Sequence, residues 1–238
     1  MKKDLKNVTV VCAIDYNLVM SKLDDMKFAY NTILDNFNVH EAMIFSETDP
    51  NIKNVEFKKS PTLGSMKGYS RFCINIIPKF INTDYYLMIQ PDGFIVNPNK
   101  WDDAFLEYDY IGAPWPRCLH FSQIGYTVGN GGFTLRSKKL IEATKDLIYD
   151  ENPLMEYGLN CTYVPEDFFY GVRYRLLLQS RGIKFAPIDL AAKFSIEYNA
   201  GETWRVEDAF GCHCGEPPET KPQQLERMQN LYRKNTNQ

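Results

Sequence analysis

Four short stretches of the sequence combine residue types that could do chemistry. Gln90-Pro91-Asp92-Gly93 ends an apolar run. A carboxylate projecting from a strand end into a crevice is placed to hold a divalent cation and a diphosphate; a plain turn uses the same four residues. Val128-Gly129-Asn130-Gly131-Gly132-Phe133 sets three glycines around one Asn. Such a segment lets backbone pass close to a ligand while the Asn130 amide donates to and accepts from hydroxyl groups. A glycine-rich bend before a strand explains it equally well. It lacks the Gly-Lys-Ser/Thr ending of a P-loop and the spacing of a dinucleotide fingerprint. Pro165-Glu166-Asp167 opens a helical pattern. One carboxylate there could deprotonate a hydroxyl nucleophile while its neighbour holds substrate, although acidic residues in a first turn commonly serve the helix dipole. Phe210-Gly211-Cys212-His213-Cys214-Gly215 flanks one imidazole with two thiols. A closed zinc site needs four ligands and no second Cys/His pair is evident, so His213 reads better as a lone metal ligand shared with a distant Asp, or as a turn histidine.

The elements that must position these stretches follow from periodicity. Asn7 to Ile14 is a β-branched run of the kind buried on both sheet faces, ended by Asp15. Residues 24–37 carry apolar residues at helical spacing, 39–46 form a second strand and 54–58 a weak third, and a helix runs from about Ser65 toward Pro78 and Phe80. Residues 85–89 make a further strand, the turn at Gln90–Gly93 interrupts it, and 94–96 resume it. Trp101 to Tyr108 reads as a short helix and 109–112 as a short strand. Residues 113–127 form an aromatic, proline-bearing loop of the length that often serves function. Helical patterns cover Lys138–Tyr149 and Glu166–Ser180, the second stopped by Arg181-Gly182, and Ile183 to Pro187 is a brief strand. Strands alternating with helices predict an α/β sheet covered on both faces. The tail from Pro217 is polar apart from Leu225, Met228, Leu231 and Tyr232, whose spacing favours a docked helix. The division is one domain over 1–216 and a C-terminal helix or tail over 217–238.

Composition excludes several classes. The 238 residues carry 27 Lys and Arg against 30 Asp and Glu, with 44% hydrophobic residues, which rules out disorder, collagen and coiled coil as overall descriptions. A pI near 5.7 with no basic stripe argues against nucleic-acid binding. No segment approaches the roughly 18 apolar residues of a membrane span, and the N-terminus lacks a secretory pattern. The expectation is a cytoplasmic protein, with peripheral membrane association left open and oligomeric state undetermined. Six cysteines are too dilute for a disulfide scaffold, and Cys12, Cys73, Cys118 and Cys161 read as thiols. Trp101, Trp115, Trp204, Tyr108 and Tyr110 lie near the four stretches; such rings are sugar platforms or, more often, core.

The order of the pieces says more than any one of them. Tyr86 to Gly93, then Tyr108-Asp-Tyr-Ile-Gly-Ala-Pro-Trp115, Gly129 to Arg136, Pro165 to Asp167 and Phe210-Gly-Cys-His213 together resemble a family of mostly uncharacterised proteins assigned to glycosyltransferases of the GT-A type. The likeness covers about residues 7–214. The pattern is also similar to that of inverting β-1,3-glycosyltransferases. It implies a GT-A-like (Rossmann-like), mixed and mainly parallel central sheet flanked by helices. It also implies a nucleotide-sugar donor, a UDP-sugar, a glycan acceptor, and Mn2+ or Mg2+ as cofactor. By this resemblance Asp167 is the catalytic base with Glu166 assisting, and Asp92 and His213 hold the metal. Gln90 and Gly93 flank the donor, Ala13 and Asp15 meet its base and ribose, and Lys67 and Arg71 face its phosphates. Asn130, Gly131 and Gly132 line the sugar pocket with Trp115 nearby. One departure stands out: Gln90 occupies a position that is Asp in many relatives of that fold, leaving one carboxylate for the ion, which the donor's diphosphate oxygens would then help to hold. The rival readings are a non-catalytic carbohydrate-binding or scaffold protein of the same fold, and a zinc-stabilised module around Cys212, His213 and Cys214.

Overall fold

The structure is a computed structural model and describes residues 2–15, 22–149, 163–197, 202–214 and 221–237. Cys161, Gly215 and the start of the tail at Pro217 lie outside the described residues. A six-stranded sheet runs in the order β3-β2-β1-β4-β7-β6, from β1 (Lys3–Ala13), β2 (Phe37–Ser46), β3 (Glu56–Lys59), β4 (Tyr85–Met88), β6 (Tyr110–Ile111) and β7 (Thr134–Ser137). The first four are parallel, and β7 runs antiparallel to both β4 and β6. A second, three-stranded sheet has the order β5-β9-β8, from β5 (Gly93–Ile95), β8 (Ser195–Ile196) and β9 (Gly211–His213).

The period of two along the strands decides which helix covers which face. Val8, Val10 and Cys12 of β1, with Ala42 and Ile44 of β2, pack under Met26, Ala29, Tyr30 and Ile33 of helix α1 (Leu23–Leu34). Val11 and Ala13, with Met43, Phe45, Tyr86 and Met88, face Tyr69, Phe72 and Cys73 of α2 (Met66–Asn75). Ser65 caps α2 by accepting a hydrogen bond from the Gly68 amide (3.1 Å). Further helices are α3 (His120–Gln123), α4 (Lys138–Thr144), α5 (Glu166–Phe168), α6 (Arg175–Ser180), α7 (Ile188–Phe194) and α8 (Lys221–Thr236).

Several expected elements come out differently. The apolar run resuming at 94–96 leaves the main sheet: β5 pairs with β9 instead. The helix expected over Glu166–Ser180 is broken by a π-helical stretch at Phe169–Arg173. Gly171 in that stretch faces the Trp115 ring closely enough that a Cβ would stand 2.8 Å from it, so only a glycine lets the indole pack there. Ile183 to Pro187 forms only a single bridge, Tyr110 to Phe185. The tail is a docked helix: Met228 and Tyr232 of α8 are buried, the Tyr232 ring meets Phe28 edge-on at 5.4 Å, and its hydroxyl accepts from Asn36 Nδ2 (2.9 Å). Among the described residues no helix is long and apolar enough to cross a membrane.

Candidate active site

Strands β2 and β4 flank β1 on opposite sides, so the chain leaves the C-terminal end of β1 at a topological switch point where a crevice must open. A cavity of about 480 Å3 occupies that crevice, within the size range of small-molecule sites. Its wall includes Ala13, Asp15, Gln90, Asp92, Asn130, Gly131, Gly132, Glu166, Asp167 and His213. Residues spread over two hundred positions of sequence thus converge.

The turn after β4 is tight, with amides and carbonyls of Gln90 and Gly93 exchanging hydrogen bonds (3.0 and 3.3 Å). β5 then pairs antiparallel with β9 in a register that sets Gly93 opposite His213. This brings His213 Nε2 to 3.2 Å from Gln90 Oε1 and 3.7 Å from Asp92 Oδ1. The Gln90 amide is oriented by its Nε2 donating to Tyr69 Oη (2.9 Å). On the other edge of the ring, His213 Nδ1 stands 2.9 Å from Glu197 Oε1. An ionised carboxylate only accepts, so Nδ1 carries a proton, and the Nε2 edge of the ring faces two oxygens. With Nε2 unprotonated, these three atoms are acceptors on one side of the cavity, an arrangement that suits a cation. Among the described residues no group of three or more His, Cys, Asp or Glu side chains is arranged to hold a metal ion, so the protein supplies a partial set, Asp92 and His213, that a ligand's own oxygens would have to complete.

Opposite lies the acidic pair. Arg136, fully buried on β7, donates from Nη2 to Glu166 Oε1 (2.8 Å) and lies between the rings of Tyr110 and Tyr170, at 5.2 and 5.1 Å from their centres. Among the described residues no such cation is in contact with Asp167. Burial, and then the negative charges of Glu166 and Glu197, hold its carboxyl well above the usual carboxylate range, against the partial relief of the Phe168 amide (2.9 Å). A carboxyl on a cavity wall whose proton affinity is raised in this way is a candidate for acid–base work.

The glycine run works by admitting protein groups. A Cβ on Gly131 would fall 2.1 Å from Glu166 Oε1, and one on Gly132 would fall 2.3 Å from His213 Nε2. Gly93 is equally close to the Gly132 carbonyl (2.3 Å). Their bareness lets three chain segments close around the cavity. Asp15 lines the wall with its carboxylate engaged by the amides of Leu63 (2.6 Å) and Gly64 (3.2 Å), pinning the loop before α2. Trp115 is not in the wall; it stacks on Phe168, which is, at 4.9 Å between ring centres.

Lys67 and Arg71 are not in the wall either. Met66 and Tyr69, three apart on α2, face the cavity, and at about 100° per residue Lys67 and Arg71 point away from that face. Lys22, at the start of α1, is the only lysine or arginine lining the cavity among the described residues. Cys212 and Cys214 alternate with His213 along β9, so they point to its other side; both are buried, and burial first, then its neighbour Cys214, pushes the Cys212 thiol well up. Thiols on the opposite side of the strand from the imidazole do not form a zinc module with it.

A family model described as "Protein of unknown function (DUF5672)" matches residues 51–213. The chain belongs to this DUF5672 family. No curated protein matches it. Among solved structures it is similar to a glycosyltransferase involved in glycosylation of the major capsid of PBCV-1, with a TM-score of 0.54 and 16% identity over 94% of this chain and 98% of that one. It is also similar to the galactosyltransferase LgtC in complex with donor and acceptor sugar analogues, with a TM-score of 0.51 and 12% identity over 94% and 95%. An active-site mutant of LgtC gives 0.52 and 12% over 94% of both chains. At such identities the likeness establishes the fold: a mixed, mainly parallel α/β sheet of the GT-A kind.

The DUF5672 segment holds most of the cavity wall, and two of its residues were not legible as site residues. Glu197 accepts from Asn130 Nδ2 (2.6 Å) as well as facing His213, yet it follows a two-residue strand with no motif around it. Arg136 did leave a trace, the lone charge in the short strand Thr134-Leu135-Arg136-Ser137, which if buried calls for an acidic partner.

Proposed function

We propose that this DUF5672 protein is a glycosyltransferase that moves a sugar from a nucleotide-sugar donor, a UDP-sugar, to a hydroxyl of a glycan acceptor, with inversion at the anomeric carbon. The observation that carries the reading is the meeting of Asp92 and His213 with Glu166 and Asp167 on one cavity at the switch point of a GT-A-like sheet. The acceptor oxygen attacks the anomeric carbon as the bond to the diphosphate breaks, and the hydroxyl proton passes to Asp167, whose raised proton affinity suits a base. Glu166, fixed by Arg136, stays in place beside it to orient the sugar. Asp92 and His213, with the Gln90 carbonyl beside them, would hold Mn2+ or Mg2+ against the donor's diphosphate; when bound, the ion supplies positive charge to the departing group. Lys22 replaces Lys67 and Arg71 as the ammonium facing the phosphates. Asn130 and the backbone of Gly131 and Gly132 present the acceptor side.

Incubating the protein with manganese, a panel of nucleotide sugars and oligosaccharide acceptors, and measuring nucleoside diphosphate release, tests the reading. Asp167→Asn should lower turnover by about 10²- to 10⁴-fold with donor affinity kept, and the anomeric proton coupling of the product should show inversion. Full turnover in Asp167→Asn removes it as the base, and donor binding without any release assigns the chain to non-catalytic carbohydrate binding.

A further inference from the structure

We infer that Glu197 is a positioning residue that fixes the cation site and the acceptor segment with one carboxylate. The inference rests on the reading of Asp92 and His213 as a cation site. Glu197 Oε1 accepts from His213 Nδ1 at 2.9 Å, and its Oε2 accepts from Asn130 Nδ2 at 2.6 Å. The first bond keeps a proton on Nδ1 and turns the Nε2 edge of the ring toward Gln90 Oε1 and Asp92 Oδ1. The second holds the Asn130 amide, whose Oδ1 accepts from the Gly132 amide at 3.0 Å, and Gly132 is the residue packed on the far side of the His213 ring. The imidazole is therefore clamped between a carboxylate and a backbone that the same carboxylate holds in place. Each Glu197 oxygen is engaged by one arm of this clamp, so although Glu197 also lines the cavity wall its inferred work is done through His213 and Asn130.

The two oxygens make a graded prediction. A glutamine at 197 keeps one acceptor and replaces the other with a donor, so it serves His213 or Asn130 but not both. An alanine serves neither. Mn2+ binding, followed by the electron paramagnetic resonance of the free ion, should weaken on the order of 10- to 100-fold in Glu197→Ala and by an intermediate factor in Glu197→Gln. The far-UV spectrum checks folding of each variant, and the near-isosteric glutamine decides the matter if the alanine does not fold. A second readout needs no metal: of the protein's three histidines, His213 should show a downfield imidazole N–H proton resonance that disappears in Glu197→Ala. Mn2+ affinity equal to wild type in both variants, with affinity lost in His213→Ala, overturns the positioning role and leaves the cation site standing. A wild-type protein that binds neither Mn2+ nor Mg2+ in the presence of uridine diphosphate overturns both.

Discussion

Gly132→Ala is the sharpest probe of how the cation site is built. The Gly132 backbone is not in the left-handed region, so alanine brings no backbone strain and the added methyl acts by contact alone. That methyl would stand 2.3 Å from both Cδ2 and Nε2 of His213, whereas ordinary contact begins at 3.4 Å. The ring must therefore retreat by about 1.1 Å. It cannot do so and keep its 2.9 Å bond to Glu197, because the carboxylate stands on the opposite side of the ring and a retreat of that size would drive Nδ1 far inside hydrogen-bond distance, so the ring has to swing out of line with it. Losing a hydrogen bond to a charged group costs about 1.5–3 kcal/mol. For a chain of this size that corresponds to a fall in Tm of roughly 3–12 °C. The same displacement pulls Nε2 off the point where the acceptors converge, so Mn2+ affinity should fall on the order of 10- to 100-fold. A thermal melt and a Mn2+ titration on one preparation read both effects. If Gly132→Ala melts with wild type and binds Mn2+ as tightly, the ring has slack, and close packing is not what fixes His213.

Three further outcomes are expected. Because the Asp167 carboxyl binds its proton more tightly folded than unfolded, ionising it works against the fold, so stability is lost as pH rises from the ordinary value near 3.8 through its raised one; Asp167→Asn, which cannot ionise, should melt above wild type at neutral pH and level with it near pH 3, and a difference that does not vary with pH contradicts the assignment. Arg136→Met strands the buried Glu166 carboxylate, a loss of about 3–5 kcal/mol that should appear as a lower urea midpoint; an unmoved midpoint means Glu166 finds another partner or a proton. Tyr232→Phe removes the acceptor for Asn36 and should cost about 0.5–1.5 kcal/mol, whereas an unchanged midpoint shows α8 held by its apolar contacts alone.

The parts of the fold that were legible are those where one period runs long enough to be seen. β1, α1, β2 and β4 each repeat their pattern over several residues, and their alternation predicts an α/β sheet covered on both faces, whereas the switch point depends on the strand order that only the structure gives. β5, β8 and β9 have two or three residues each, too few for alternation to show, and the β5–β9 pairing joins positions more than a hundred residues apart. The helix from Glu166 was visible, but its π-helical break, where Gly171 packs against Trp115 from another part of the chain, was not. In the site, Asp92, Asn130, Glu166, Asp167 and His213 were marked by their motifs. Lys67 and Arg71 were placed by residue type on a helix whose inward face is Met66 and Tyr69. Nothing local marks Glu197, since its partners come from β9 and the glycine run.

The short strands then carry a heavier burden than their length suggests. The carboxylate side of the cavity rests on α5 and β7, which belong to the large sheet and its covering layers. The cation side rests on the register of β5 with β9, where Gly93 faces His213 across a single pair. Because side chains alternate along a strand, a slip of one residue would turn Cys212 or Cys214 into the cavity and carry His213 to the buried face. What blocks the slip lies outside the pair. The Cys214 amide donates to the Asp92 carbonyl (2.8 Å), the Val96 amide donates to the Phe210 carbonyl (2.9 Å), and Phe210 packs edge-on against Phe37 and Trp101. The aromatic cluster at one end of the small sheet therefore sets where the imidazole stands at the other. Substitutions at Phe210 should accordingly weaken cation binding, although the ring itself lies in the core and outside the cavity wall.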